Sequence, residues 1–308
     1  MIPLQPTPTR AIPTAKMKLL VAGDARVDAG KTTFAAGLLA AIDGAVGFKP
    51  RAGNDYWYDH DDAAAALNES RLYGKDVATL ATAGDTDLPE EQLNPVHRLW
   101  RPTPDRTGML GETGRTFLLD RVTTPDGPLF VVNAVAEDAG LLPDRVVDAL
   151  PLESATRVEG VAEFNDVMAD RYLPAFDQVA DRIADTAPAV VESYADIALP
   201  VAGIDFDTVA VVGPTRVRVY DGDRYLTACE VASGSASEGK LEERVDRVVE
   251  MIEPVSTHTL EPLDCEARAD PHRVAGATLT CMRRCWLPRS TSLKATIQPP
   301  TVCSGMHL

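Results

Sequence analysis

Apolar residues recur along this chain in two rhythms, one continuous and one helical. Unbroken runs at Leu19-Leu20-Val21-Ala22, Ala189-Val190-Val191 and Thr208-Val209-Ala210-Val211-Val212 read as strands buried on both faces, the kind found in parallel sheets. Gly44-Ala45-Val46-Gly47-Phe48 predicts a short second strand. Phe34, Leu38 and Ile42 recur at one-turn spacing, so a helix follows the first run directly. Val161, Phe164, Met168, Tyr172, Phe176, Val179 and Ile183 predict a longer helix that Pro174 must kink or divide. Ala63 to Tyr73 also reads as helical, and Leu241, Val245, Val248, Val249 and Ile252 mark a last amphipathic helix.

Between these elements lie turn signals. Thr116–Val122 and Leu129–Ala134 flank Asp126-Gly127, and Arg216–Tyr220 and Arg224–Val231 flank Asp221-Gly222, so each pair predicts a β-hairpin. Residues 84–115, rich in Pro, Gly and Thr, predict loop with one short helix. The expected class is α/β: a mostly parallel sheet flanked by helices, with inserted β-hairpins. Residues 1–16 are Pro- and Thr-rich and predict a disordered extension before a domain spanning 17–270. After Asp270 there is no further Asp or Glu, so 271–308 reads as a disordered or aberrant tail, or as a partner-binding one through Arg283, Arg284 and Arg289.

Composition removes several function classes. A net charge of -16 repels polyanions, which argues against nucleic acid and anionic membrane as partners, and no stretch approaches a membrane span. Acidic excess with scarce lysine suggests adaptation to high salt, where screening makes such crowding tolerable. The five cysteines form no zinc-type spacing and fit a reducing cytoplasm; His97, His258 and His272 are too scattered for histidine-based hydrolysis.

The chemistry concentrates at Asp28-Ala29-Gly30-Lys31-Thr32-Thr33, which sits between a strand ending at Gly23 and the first helix. Strand, glycine-bearing loop and helix in that order make an anion cradle. Backbone N–H groups and the helix's positive end face one phosphate, Lys31 reaches the β/γ-phosphates, and the Thr32 hydroxyl can ligate Mg²⁺. The P-loop pattern G-x-x-x-x-G-K-[ST] has its first glycine where this chain has Ala25, with Gly23 two residues earlier, so the loop is a variant. Gly23, Asp28, Ala29, Gly30, Lys31, Thr32 and Thr33 are the expected nucleotide-binding residues. Asn133-Ala134-Val135-Ala136 does not supply the guanine-reading Asn-Lys-x-Asp step, which favours ATP over GTP. Asp55 to Asp62, a polar loop carrying Tyr56, Trp57 and Tyr58, lies where a second ligand would be read.

Three features fall in order: Asp28 to Thr33, then Gly47-Phe48-Lys49-Pro50, then Val190-Val191-Glu192-Ser193-Tyr194 and onward to Pro200-Val201. This order resembles the dethiobiotin synthetase-like group of P-loop NTPases, which includes cobyrinic acid amidotransferase synthases and related ATP-dependent ligases. It most resembles archaeal predicted P-loop ATPase/GTPase proteins with an Asp-Ala/Ser-Gly-Lys-Thr-Thr loop. The likeness covers 17 to about 213 in patches. It implies Mg²⁺ held by Asp28, Thr32 and Glu192, and a catalytic Lys49 that faces the reacting group beside the catalytic Lys31. A strand-end carboxylate suits Mg²⁺ chemically, although Glu192 can also point to solvent, Asp28 can serve the helix dipole, and Lys49 can be a solvated lysine before a proline. The group's glycine-rich stretch after the glutamate is here Ser193-Tyr194-Ala195-Asp196, so the second substrate is expected to differ. Two functions follow: an ATP-using hydrolase or ligase-like enzyme acting on a small carboxylate or amine, or a nucleotide-dependent switch acting on a protein partner. Oligomeric state stays open, a homodimer included.

Overall fold

The computed structural model describes residues 17–25, 29–232 and 243–276. The expectations for residues 1–16, Asp28, Leu241 and the chain beyond 276 lie outside these. Strand β1 (Lys18–Gly23) leads to helix α1 (Lys31–Ala41) and then β2 (Val46–Phe48). The chain then departs through β3 (Arg51–Asp55), helices α2 (His60–Asn68), α3 (Lys75–Ala83) and α4 (Glu90–Leu93), and strands β4 (Val96–Thr107), β5 (Thr113–Thr124) and β6 (Gly127–Asn133). Helices α5 (Ala134–Asp138) and α6 (Asp144–Ala149) precede β7 (Thr156–Val158). Helices α7 (Val161–Val167) and α8 (Leu173–Asp185) form one path joined by a wide turn over Met168–Tyr172, with Pro174 in the first turn of α8, where its missing N–H is harmless. The chain returns as β8 (Ala189–Glu192), β9 (Thr208–Gly213), β10 (Arg216–Asp221), α9 (Gly222–Ala232), α10 (Val245–Val249), β11 (Ser256–Thr259) and α11 (Cys265–Ala269).

Two mixed sheets result, both flanked by helices. The first has the order β11-β10-β9-β1-β8-β2: β9, β1, β8 and β2 run parallel, and β10 and β11 are antiparallel additions. The second, β3-β4-β5-β6-β7, is parallel only at its two outer pairs. The expected mostly parallel sheet is thus corrected to a parallel centre with antiparallel strands beside it and a separate inserted sheet.

Each continuous apolar run is buried on both faces. Leu19, Val21, Val190, Ala210 and Val212 pack against Phe34, Leu38, Leu39 and Ile42 of α1. Leu20, Ala22, Val191, Val209 and Val211 face α8 and α9, in an apolar body that continues through Phe164 and Tyr172 to Trp100 and Phe117 of the inserted sheet. That sheet's other face carries Leu99, Leu119, Phe130 and Val132 against Leu67 of α2 and Val146 of α6.

The first expected hairpin forms, with Thr124 opposite Gly127. The second does not. Residues 224–231 belong to α9, whose buried positions Gly222, Tyr225, Ala228 and Cys229 keep helical spacing, and β10 pairs instead with β9 and β11. Gly222 reads as a turn in sequence, yet its role is close approach: a Cβ there would stand 1.5 Å from the Phe206 carbonyl oxygen. Residues 84–115 also depart from expectation, since they hold α4, the twelve-residue β4 and the start of β5. Pro102, Pro104 and the arginines of β4 conceal the strand, whose outer half is exposed and therefore needs no apolar alternation. The predicted helix of residues 63–73 begins at His60 and stops at Asn68. No helix among the described residues is long and apolar enough to cross a membrane.

Candidate functional site

The carboxyl ends of the parallel strands meet at one edge, the position where open α/β sheets receive ligands. Val21 pairs with Glu192 and Gly23 with Val212, so Gly23, Glu192 and Gly213 come out together, and Lys49 follows the end of β2. Gly30 caps α1 in the left-handed region (φ 82°), and no side chain among the described residues caps that helix end. An uncapped N-terminus carries orphan N–H donors and the positive end of the helix dipole, which together favour an anion.

The side chains behind it form one connected cluster. The Thr32 hydroxyl donates to Glu192 Oε1 at 2.8 Å, and Lys49 Nζ donates to the same oxygen at 2.7 Å. Lys49 also pairs with Asp76, in the first turn of α3. Lys31 Nζ donates to the Ala195 carbonyl at 2.8 Å. Gly23 makes that fold-back feasible, because a Cβ there would lie 2.8 Å from Lys31 Nζ and 3.0 Å from the Ala195 oxygen.

Burial sets the charge states. Desolvation lowers the Lys31 ammonium despite the attraction of Glu192, and it raises the Glu192 carboxyl despite Lys49. For Lys49 burial works in the lowering direction, but Glu192 and Asp76 outweigh it and raise the ammonium. For Asp76 desolvation is outweighed by Lys49, so its carboxyl is lowered.

Glu192 is 1% exposed, and its Oε2 has no hydrogen-bond partner among the described residues. Leaving such an atom unanswered costs about 1–3 kcal/mol or more for a charged group. The orphan oxygen, the Thr32 hydroxyl and nearby Asp76 form an all-oxygen donor set that fits Mg²⁺, which takes one or two carboxylates and completes its octahedron with phosphate and water. Among the described residues no group of three or more His, Cys, Asp or Glu side chains gathers.

The cluster opens into a cleft of about 1450 Å³ between the two sheets. One wall is Ala29 to Phe34 with Val212–Thr215 and Leu260–Leu263; the facing wall is Gly53–Asp55, Trp100 and Thr113–Arg115 of the inserted sheet. Of the sequence-predicted site residues, Ala29, Gly30, Lys31, Thr32, Thr33, Lys49 and Glu192 line the cleft, Gly23 lies behind it against Lys31, and Asp28 lies outside the described residues. Tyr58 and Asp59 of the aromatic loop also reach the cleft.

No protein-family profile, curated protein or solved structure matches this chain.

The functional reading therefore rests on geometry and residue chemistry. Sequence reasoning missed Asp76, Ala195 and the wall around Trp100. Asp76 carried a faint signal: an acid at the start of a segment whose Val77, Leu80 and Ala83 keep helical spacing and are buried. Ala195 carried none, because its backbone carbonyl is what acts; its φ of 47° turns the chain after β8 toward Lys31.

Proposed function

We propose that this chain is a Mg²⁺-dependent P-loop ATPase or phosphoryl-transfer enzyme, with GTP as the less favoured nucleotide. The observation that carries the reading is the convergence of the α1 terminus, which no described side chain caps, Lys31 and the Thr32–Glu192 pair at one cleft edge. The order of motifs, which resembles the dethiobiotin synthetase-like group, supports it. The triphosphate would lie over Gly30–Thr33, with its base along the apolar wall of Val212, Pro214, Leu260 and Pro262. Mg²⁺ would be held by Thr32 and Glu192, and it would supply neutralisation of phosphate charge.

The chain's own groups do the remaining work. Lys31 exchanges the Ala195 carbonyl for phosphate oxygens, and α1 donates N–H groups to them. As an acceptor oxygen, from water or from the acyl or carbamate group of a small substrate, bonds to the γ-phosphorus, the bond to the β–γ bridging oxygen breaks and the nucleoside diphosphate leaves; where water is the acceptor, its proton passes to solvent. Positioning and charge stabilisation are what such transfer requires. Lys49, already engaged by Glu192 and Asp76, fixes the carboxylate rather than roaming the cleft. The test is Mg²⁺-dependent turnover of ATP and GTP in molar KCl, with Lys31→Ala and Lys49→Ala beside wild type. Turnover that survives Lys31→Ala would overturn the proposal.

A second reading is a nucleotide-dependent switch acting on a protein partner. The Lys31–Ala195 bond favours it, since nucleotide would release the segment after β8 from its contact with Lys31. Turnover retained in Lys49→Ala, with the 193–201 backbone changing hydrogen-exchange protection on nucleotide binding, would select it.

A further inference from the structure

We infer that the inserted sheet forms a carboxylate-receiving subsite across the cleft from the phosphate edge, with Trp100 and Arg115 as its donors. This deepens the proposed function by naming the second substrate's class, and it rests on that reading for its reaction though not for its binding. The cleft of about 1450 Å³ exceeds the roughly 300–1,000 Å³ usual for one small-molecule site, so it has room beside a nucleotide.

Trp100 is 5% exposed, and its Nε1–H has no acceptor among the described residues. Buried indole N–H groups normally find one, so this donor awaits a partner from outside the protein. Gly53 lies beside it on the same wall: a Cβ added there would stand 2.9 Å from the Arg98 carbonyl oxygen of the paired strand and 3.4 Å from Nε1, so glycine lets the two strands close around the indole.

The Arg115 guanidinium lies over the Trp100 ring, 4.1 Å from its centroid, and its side-chain pairing is a 3.3 Å contact with Glu112 at the rim. The ring face holds the guanidinium beside the indole, and its five N–H donors exceed what one carboxylate contact uses, which leaves donors for a second acceptor. One indole donor and one guanidinium fork suit a planar monoanion. Asp55 and Asp59 on the adjoining loop, both lining the cleft, oppose a dianion such as phosphate. One oxygen of each is engaged by backbone, Asp55 Oδ1 by the Trp57 and Tyr58 N–H groups and Asp59 Oδ2 by the Asp55 N–H, so both help hold the loop's shape.

The test is ¹⁵N–¹H NMR of the indole resonances of the full chain without nucleotide. The Trp100 signal is assigned by Trp100→Phe, and the protein is titrated with butyrate, butyramide, butylamine and inorganic phosphate. Butyrate should shift the Trp100 N–H downfield, with butyramide weaker and the other two inert. Arg115→Gln, at the rim and outside the apolar core, should weaken butyrate about tenfold, as expected for loss of a charge-assisted hydrogen bond. Lys31→Ala should leave butyrate binding unchanged, while Trp100→Phe and Arg115→Gln should leave binding of a fluorescent ATP analogue unchanged. A Trp100 signal unmoved by butyrate, or moved equally by butylamine or phosphate, overturns the subsite without touching the nucleotide proposal. Loss of ATP-analogue binding only in Lys31→Ala supports the two sites as separate.

Discussion

The strand-end edge of the first sheet and the middle of the inserted sheet both bury charge, and they treat it differently. Arg121 in β5 is 1% exposed, and its guanidinium donates to the carbonyls of Leu72, Asn94 and Pro95, to Asn94 Oδ1 and to Thr123 Oγ1. Arg98 meets Asp120 through two bonds of 2.7 and 2.6 Å, and Asp120 also accepts from Tyr172. Glu192 is equally buried but keeps one oxygen without a partner among the described residues, and Lys31 reaches a backbone carbonyl that it can surrender. Paired charge joins the inserted sheet to its neighbours, whereas the strand ends hold a carboxylate oxygen that no described group answers. Burial is common to these charged groups; the state of their partners differs.

The contrast can be broken most forcefully at Lys31. Lys31→Ala should lower ATP turnover on the order of 10³-fold or more, since it removes charge stabilisation of the transferring group, while leaving the urea midpoint nearly unchanged. Equal loss of stability and activity would make Lys31 a structural residue. Asp120→Ala is the counterpart: stranding the Arg98 guanidinium should cost about 3–5 kcal/mol in urea unfolding yet leave nucleotide affinity of the folded fraction intact. A selective loss of nucleotide affinity would erase the distinction between the regions.

Smaller effects sharpen it. Glu192→Gln keeps an acceptor for Thr32 and Lys49 but removes the charge, so the Mg²⁺ concentration for half-maximal turnover should rise roughly 10–100-fold, comparable with losses at other metal-site positions. Unaltered Mg²⁺ dependence would remove Glu192 from the metal site. The most gradual effect, spread over pH, belongs to His97, fully buried on β4 and lowered to about 3 by desolvation, with Arg121 and Lys49 adding to the shift. It stays neutral when folded, while the unfolded chain takes up a proton near 6.5, so acid favours unfolding between those values. Wild type should lose up to about 1.4 kcal/mol per pH unit more than His97→Leu from pH 6 to 4. Parallel pH profiles would mean that His97 is solvated.

Much of this was legible in residues and some was not, for physical reasons. Strands β1, β8 and β9 announced themselves because burial on both faces demands unbroken apolar runs, and α1 because Phe34, Leu38 and Ile42 keep one face. The Gly30-Lys31-Thr32 step and Glu192 were readable because their chemistry depends on local order and on a charge at a strand end. The inserted sheet was only half visible: the β5–β6 turn showed, but β4 did not, since its prolines and arginines serve an exposed outer half. Helix α9 looked like a strand because Asp221-Gly222 imitates a hairpin turn while meeting a packing need. Asp76 and Trp100 join the site only through folding over long sequence separations, which no local pattern records.

Neighbouring parallel strands can be bridged by a dozen or so residues, yet β2 and β8 are bridged by residues 49–188. The excursion is therefore a module hung from one gap in a sheet whose hydrogen bonds close without it. It is tied back at points such as Lys49 Nζ to Glu192 Oε1 and the Asp85 N–H to the Ala45 carbonyl. Mutation can remodel the module's far wall, and so the molecule admitted to the cleft, while the opposite edge keeps its shape.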